Sequence, residues 1–60
     1  MASEERFSKV KKKLESKGYS LSRIAGSHHI FTKEGALPIS IPVHSGKVKS
    51  YYVQEIDKIE

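Results

Sequence analysis

Three histidines, His28, His29 and His44, are the side chains of this chain that ordinarily exchange a proton near neutral pH. There is no cysteine, so thiolate nucleophiles, disulfides and thiolate zinc sites are excluded. No serine stands in a Gly-x-Ser-x-Gly elbow, and no glycine-rich phosphate loop is present. The histidines have no carboxylate close in sequence and match no zinc-ligand spacing. Strand alternation assigns His28 to one sheet face and His29 and His44 to the other, so neither a metal nor a cofactor is expected. General acid–base chemistry is the catalysis left open to these residues.

The histidine best placed for it is His28. In Gly26-Ser27-His28-His29-Ile30-Phe31, two turn-forming residues lead directly into a strand. His28 therefore begins the strand at the rim of the sheet, where solvent and ligand have access. A tight Gly26-Ser27 turn sets Arg23 opposite Ile30, which makes Arg23 a diagonal neighbour of His28. Cleavage of an RNA phosphodiester needs no metal, because the ribose 2′-hydroxyl is the nucleophile. It needs a base for that hydroxyl, cationic donors for the charge on phosphorus and an acid for the leaving oxygen. His28 and Arg23 offer the first two. The alternative, that His28 and His29 are ordinary strand-end residues, stays open on spacing alone.

The elements that position these residues follow from periodicity. Ser3 to Lys17 reads as a helix, with Ser3 as cap, Glu4 and Glu5 at its positive end and Gly18 as its stop. Phe7, Val10 and Leu14 form its apolar stripe, and Arg6, Lys9, Lys13 and Lys17 form a basic stripe beside it. Tyr19 to Ala25 alternates as a strand, with Tyr19, Leu21, Arg23 and Ala25 on one face. His28 to Lys33 is a second strand and Leu37 to Val43 a third. If Glu34-Gly35 is a two-residue turn, Ile30 lies opposite Ile39 and His28 opposite Ile41, so His28 and Arg23 interrupt the apolar, covered face. Ser45 to Lys49 is a basic loop. A second helix runs from about Ser50 to the end, with Tyr52, Ile56 and Ile59 on its apolar face, while Asp57 and Glu60 oppose its dipole. The expected architecture is an α+β two-layer sandwich in the order α-β-β-β-α, with both helices on one face of a three-stranded antiparallel sheet.

Size and charge narrow the function classes. Sixty residues make one small domain, 1–60, and a domain of this size buries only about 60% of the surface its unfolded chain exposes. No apolar run approaches the ~20 residues of a membrane span, and the charged N-terminus is unlike a signal segment, so a soluble, cytoplasmic protein is expected. The net charge is +4. Residues 1–49 hold ten Lys and Arg against four Glu, while the last eleven residues are net acidic. A basic body suits a polyanion. Arg6, Lys9, Lys13, Lys17, Lys47 and Lys49 are the candidate phosphate contacts, against the plainer reading of a solvated, soluble face.

Gly18-Tyr19, Arg23, Gly26-Ser27-His28-His29-Ile30-Phe31, Pro42-x-His44 and Val48 before a last helix together resemble the HicA (YcfA-like) toxin family. The resemblance covers nearly the whole chain. It implies a double-stranded-RNA-binding-domain-like fold and a metal-independent mRNA interferase, an endoribonuclease held in check by a HicB-type antitoxin. It also implies that the histidine directly after Gly-Ser, His28, is catalytic, with Arg23 and Ser27 supporting catalysis or phosphate binding. The chain departs from the family pattern in carrying Tyr51-Tyr52 where a Gly-Thr pair commonly opens the last helix. A non-catalytic RNA-binding module with the same fold is the alternative from a different class, and RNA is the expected partner under both.

Overall fold

The structure, a computed structural model, describes residues 4–59. The stripe of Phe7, Val10 and Leu14 organises helix α1, Phe7–Ser16, in which Val10 and Leu14 are fully buried. The helix begins later than its composition suggests. Ser3 lies outside the described residues, and Glu5–Arg6 form a short strand, β1, instead of a first turn. The cause is a competing partner. Glu5 and Arg6 pair with Val48 and Lys47 of strand β5, Lys47–Val48, and the Phe7 amide donates to the Gly46 carbonyl at 2.8 Å. Arg6 occupies the N-cap position without a side-chain cap, so this backbone bond satisfies the Phe7 donor. At the other end Gly18 adopts φ +93°, and Tyr19 N–H closes onto the Leu14 carbonyl at 3.0 Å, the left-handed stop that favours glycine.

Strands β2 (Ser20–Ala25), β3 (His28–Thr32) and β4 (Ile39–Pro42) form an antiparallel sheet in the order β2-β3-β4. Ala25 pairs with His28, so Gly26-Ser27 is a two-residue turn, with Gly26 at φ +63°. Arg23 faces Ile30 across this hairpin, as the turn predicts.

The second hairpin corrects the expected register. His28 pairs with Pro42, Ile30 with Ser40 and Phe31 with Ile39, one residue away from the Ile30–Ile39 pairing. The connection is not a two-residue turn. Residues 33–38 bridge the strands, with Ala36 N–H bonded to the Lys33 carbonyl at 3.1 Å. A slip of one residue exchanges the faces of a strand. Phe31 is consequently fully buried and Ile30 only half-buried. Burying the larger phenyl group removes more apolar surface from water. A bulge between Leu21 and Arg23 makes a matching change in β2. Leu21 stays opposite Phe31, while Arg23 and Ala25 move to the other face, which corrects the single-face reading of Tyr19, Leu21, Arg23 and Ala25.

Helix α2, Ser50–Asp57, buries Val53 and Ile56. These join Val10, Leu14, Tyr19, Phe31, Ile41 and Val48 in one core, with Tyr52 and Ile59 packed at its margin. The fold is α+β, two helices and a three-stranded antiparallel sheet in the order α-β-β-β-α, with the β1–β5 ladder added beside it. Among the described residues no helix is long and apolar enough to cross a membrane.

Candidate functional site

The one-residue shift decides where the site residues lie. His28, Ile30 and Thr32 share the face of β3 opposite to Phe31, so His28 stands on the open side of the sheet. The expectation that His28 and Arg23 interrupt the covered face is corrected. Both were displaced together, His28 by the β3–β4 register and Arg23 by the bulge. They remain diagonal neighbours, because Arg23 pairs with Ile30 and Ala25 with His28. Both are exposed, and among the described residues neither Arg23 nor His28 takes part in an ion pair.

Among the described residues His28 has one side-chain hydrogen-bond partner, Ser40, whose Oγ lies 3.2 Å from Nδ1. Ser40 was not singled out from the sequence. Its signal was parity alone: of the four residues of β4, Ile39 and Ile41 turn toward the core side, and Ser40 is the polar one on the other face. Ser27 is half-buried at the turn, and its carbonyl accepts the Val43 amide at 2.8 Å.

His29 turns the other way. It shares the covered face with Phe31, and its ring centroid lies 4.4 Å from that of Phe7. The assignment of His29 to the face away from the covered one is corrected: it is half-buried, and its Nδ1 is buried with no hydrogen-bond partner among the described residues. His44 is exposed in the loop after β4 and forms an isolated bridge with Lys47. His29 thus differs in environment from exposed His28 and His44, and among the described residues no cluster of histidines and carboxylates could hold a metal ion.

The cations divide by end. Val43 bonds to Ser27, His44 and Lys47 exchange backbone bonds of 3.0 and 2.9 Å, and Lys47 stands opposite Arg6. This run of pairings brings exposed Arg6 and Lys47 to the His28 end of the sheet, with exposed Lys49 at the start of α2. Lys9 is exposed on the first half of α1. Lys13 and Lys17 are occupied elsewhere. Lys13 Nζ lies 3.3 Å from the Asp57 carboxylate, and Lys17 Nζ donates to the Ile59 carbonyl at 2.6 Å. Both contacts lie where the C-terminal ends of the two helices meet.

Fold and site together define a small basic α+β domain that presents an exposed histidine and arginine on the free face of its sheet. The family model described as the HicA toxin of bacterial toxin–antitoxin systems matches residues 7–59, and the chain belongs to that family. Membership brings a toxin role and, with it, an antitoxin partner. No curated protein and no solved structure gives a match to the chain.

Proposed function

We propose that the protein is an mRNA interferase, a cytoplasmic endoribonuclease that cleaves without a metal, using His28 for proton transfer. The observation that carries this reading is the shared open face of His28 and Arg23, in a chain of the HicA toxin family. His28 takes the proton of a ribose 2′-hydroxyl as the 2′-oxygen bonds to the adjacent phosphorus. The bond from phosphorus to the 5′-oxygen breaks, that oxygen takes a proton from water, and the imidazolium returns its proton to solvent. Arg23, planar and permanently charged, suits the phosphate oxygens whose charge grows during attack. The Ser27 turn sets the start of the strand, and Arg6, Lys9, Lys47 and Lys49 supply phosphate contacts along the strand of RNA. A HicB-type antitoxin covering the His28 face would silence the enzyme, and the basic surface would steer an acidic partner to it.

The test is cleavage of a long single-stranded RNA in EDTA by wild type, His28→Ala and His29→Ala, with circular dichroism to confirm folding. Wild type and His29→Ala cut. His28→Ala loses ~10²–10⁴-fold in rate, the usual contribution of a positioned acid–base group. Cutting by His28→Ala at the wild-type rate, or loss of wild-type cutting in EDTA, contradicts the mechanism. Binding without cleavage by all three proteins would support the RNA-binding module instead.

A further inference from the structure

We infer that Ser40 is the positioning residue for His28: its hydroxyl holds Nδ1 of the imidazole and leaves Nε2 as the nitrogen that exchanges a proton with RNA. The inference rests on the reading of His28 as the proton-transfer group. Nδ1 and the Ser40 Oγ are 3.2 Å apart. The two residues paired directly with His28 in the sheet, Ala25 and Pro42, offer no polar side chain.

The direction of the bond follows from what proton transfer requires. A hydroxyl both donates and accepts, so it can serve either ring tautomer. If Ser40 donated to a bare Nδ1, Nε2 would carry the hydrogen and could not act as a base. The bond would also break when the ring became doubly protonated. If Nδ1–H donates to Oγ, Nε2 is bare and ready to accept a proton. The same bond then survives in the imidazolium, where both nitrogens carry hydrogens. Only this direction lets the ring gain and lose a proton without turning.

The choice of a hydroxyl also fits an anionic substrate. A carboxylate would orient the ring equally well, but it would repel a phosphate arriving beside Arg23. Serine orients without adding charge. The bond lies at the surface, where hydrogen bonds add little to stability because water competes for both partners. Its consequence is restriction of an otherwise freely rotating exposed ring.

The experiment uses the full chain, histidine-labelled with nitrogen-15, as wild type, Ser40→Ala and Ser40→Thr. Ring nitrogen shifts of neutral His28 report the tautomer. Wild type and Ser40→Thr hold the Nδ1–H form, while Ser40→Ala acquires a substantial Nε2–H population. In parallel, Ser40→Ala lowers kcat by about tenfold with KM unchanged, the scale of one lost neutral hydrogen bond, and Ser40→Thr restores it. Identical tautomer populations in wild type and Ser40→Ala overturn the inference, as does an unchanged kcat. His28→Ala run alongside separates the two claims. If it cuts like wild type, the reading of His28 fails, while the tautomer measurement still judges the Ser40 contact.

Discussion

The rings of Phe7 and His29 stand 4.4 Å apart and tilted by 54°, so the first residue of α1 covers one of two adjacent histidines. Alternation along β3 does the rest. His28 is left on the open face with Arg23 and Ser40, and His29 is drawn beneath the helix, where Phe7 also meets Phe31 at 6.1 Å. Two residues of one type, side by side in sequence, are thereby placed in different surroundings: the first is exposed, the second half-buried against Phe7.

His29→Ala is therefore expected to act on stability. The lost aromatic contact accounts for about 1 kcal/mol beyond the apolar area exposed. His29→Phe should recover it, because the buried Nδ1 has no hydrogen-bond partner among the described residues to lose. Urea denaturation followed by circular dichroism measures both variants. A His29→Ala protein that is as stable as wild type but inactive would move His29 into the chemistry.

Phe31 and Ile30 make a sharper test of the register. Phe31 is fully buried and Ile30 half-buried. Phe31→Ala should cost about 3–5 kcal/mol, a loss comparable with the whole stability of a domain this small, at ~0.05–0.15 kcal/mol per residue. Ile30→Ala should cost about 1 kcal/mol, roughly half of what a fully buried side chain contributes. Equal losses from the two substitutions would mean that the strand is seated one residue away from the pairing described.

What was legible in the sequence follows the same divide. Gly26-Ser27 has turn chemistry that admits one close pairing, and Arg23 does face Ile30. Glu34-Gly35 invited the same reasoning and misled it, because Gly35 does take a positive φ of 81° but within a longer connection. Ile30 and Phe31 are adjacent and both apolar, so period-two patterning cannot choose which faces inward. The bulge after Leu21 carries no glycine or proline to announce it. Strands of two residues, such as β1 and β5, are too short for any periodicity, which is why Glu5 and Arg6 read as helix. Helical periodicity aligned Lys13 and Lys17 with Arg6 and Lys9, but Arg6 lies in β1 and Lys17 at the C-cap of α1, and periodicity says nothing of what a second helix brings beside them. Ser40 became visible only when the register placed it on the same face as His28, diagonal to it in the sheet.

That division of the lysines yields a prediction about RNA binding. Arg6 and Lys47 stand opposite each other on the β1–β5 ladder, both exposed, an arrangement of like charges that a bound phosphate relieves. Lys13 and Lys17 are held by Asp57 and the Ile59 carbonyl. Phosphate contacts release counterions, and each contact with a single strand steepens the fall of log K with log salt by about 0.7. Replacing Arg6 and Lys47 with Gln, in a His28→Ala background that leaves the RNA uncut, should flatten that slope by about 0.7 for each cation and weaken binding to all sequences alike. Replacing Lys13 and Lys17 should leave the slope nearly unchanged. It should instead lower stability slightly, the Lys13–Asp57 pair contributing about 0.2–1 kcal/mol at its largely exposed position. Fluorescence anisotropy of a labelled single-stranded RNA across a salt series reads the slopes, and urea denaturation reads the stabilities. If the Lys13 and Lys17 pair flattens the slope as much as the Arg6 and Lys47 pair, the helix stripe leaves its helix–helix contacts to track the backbone, and the division by end is wrong.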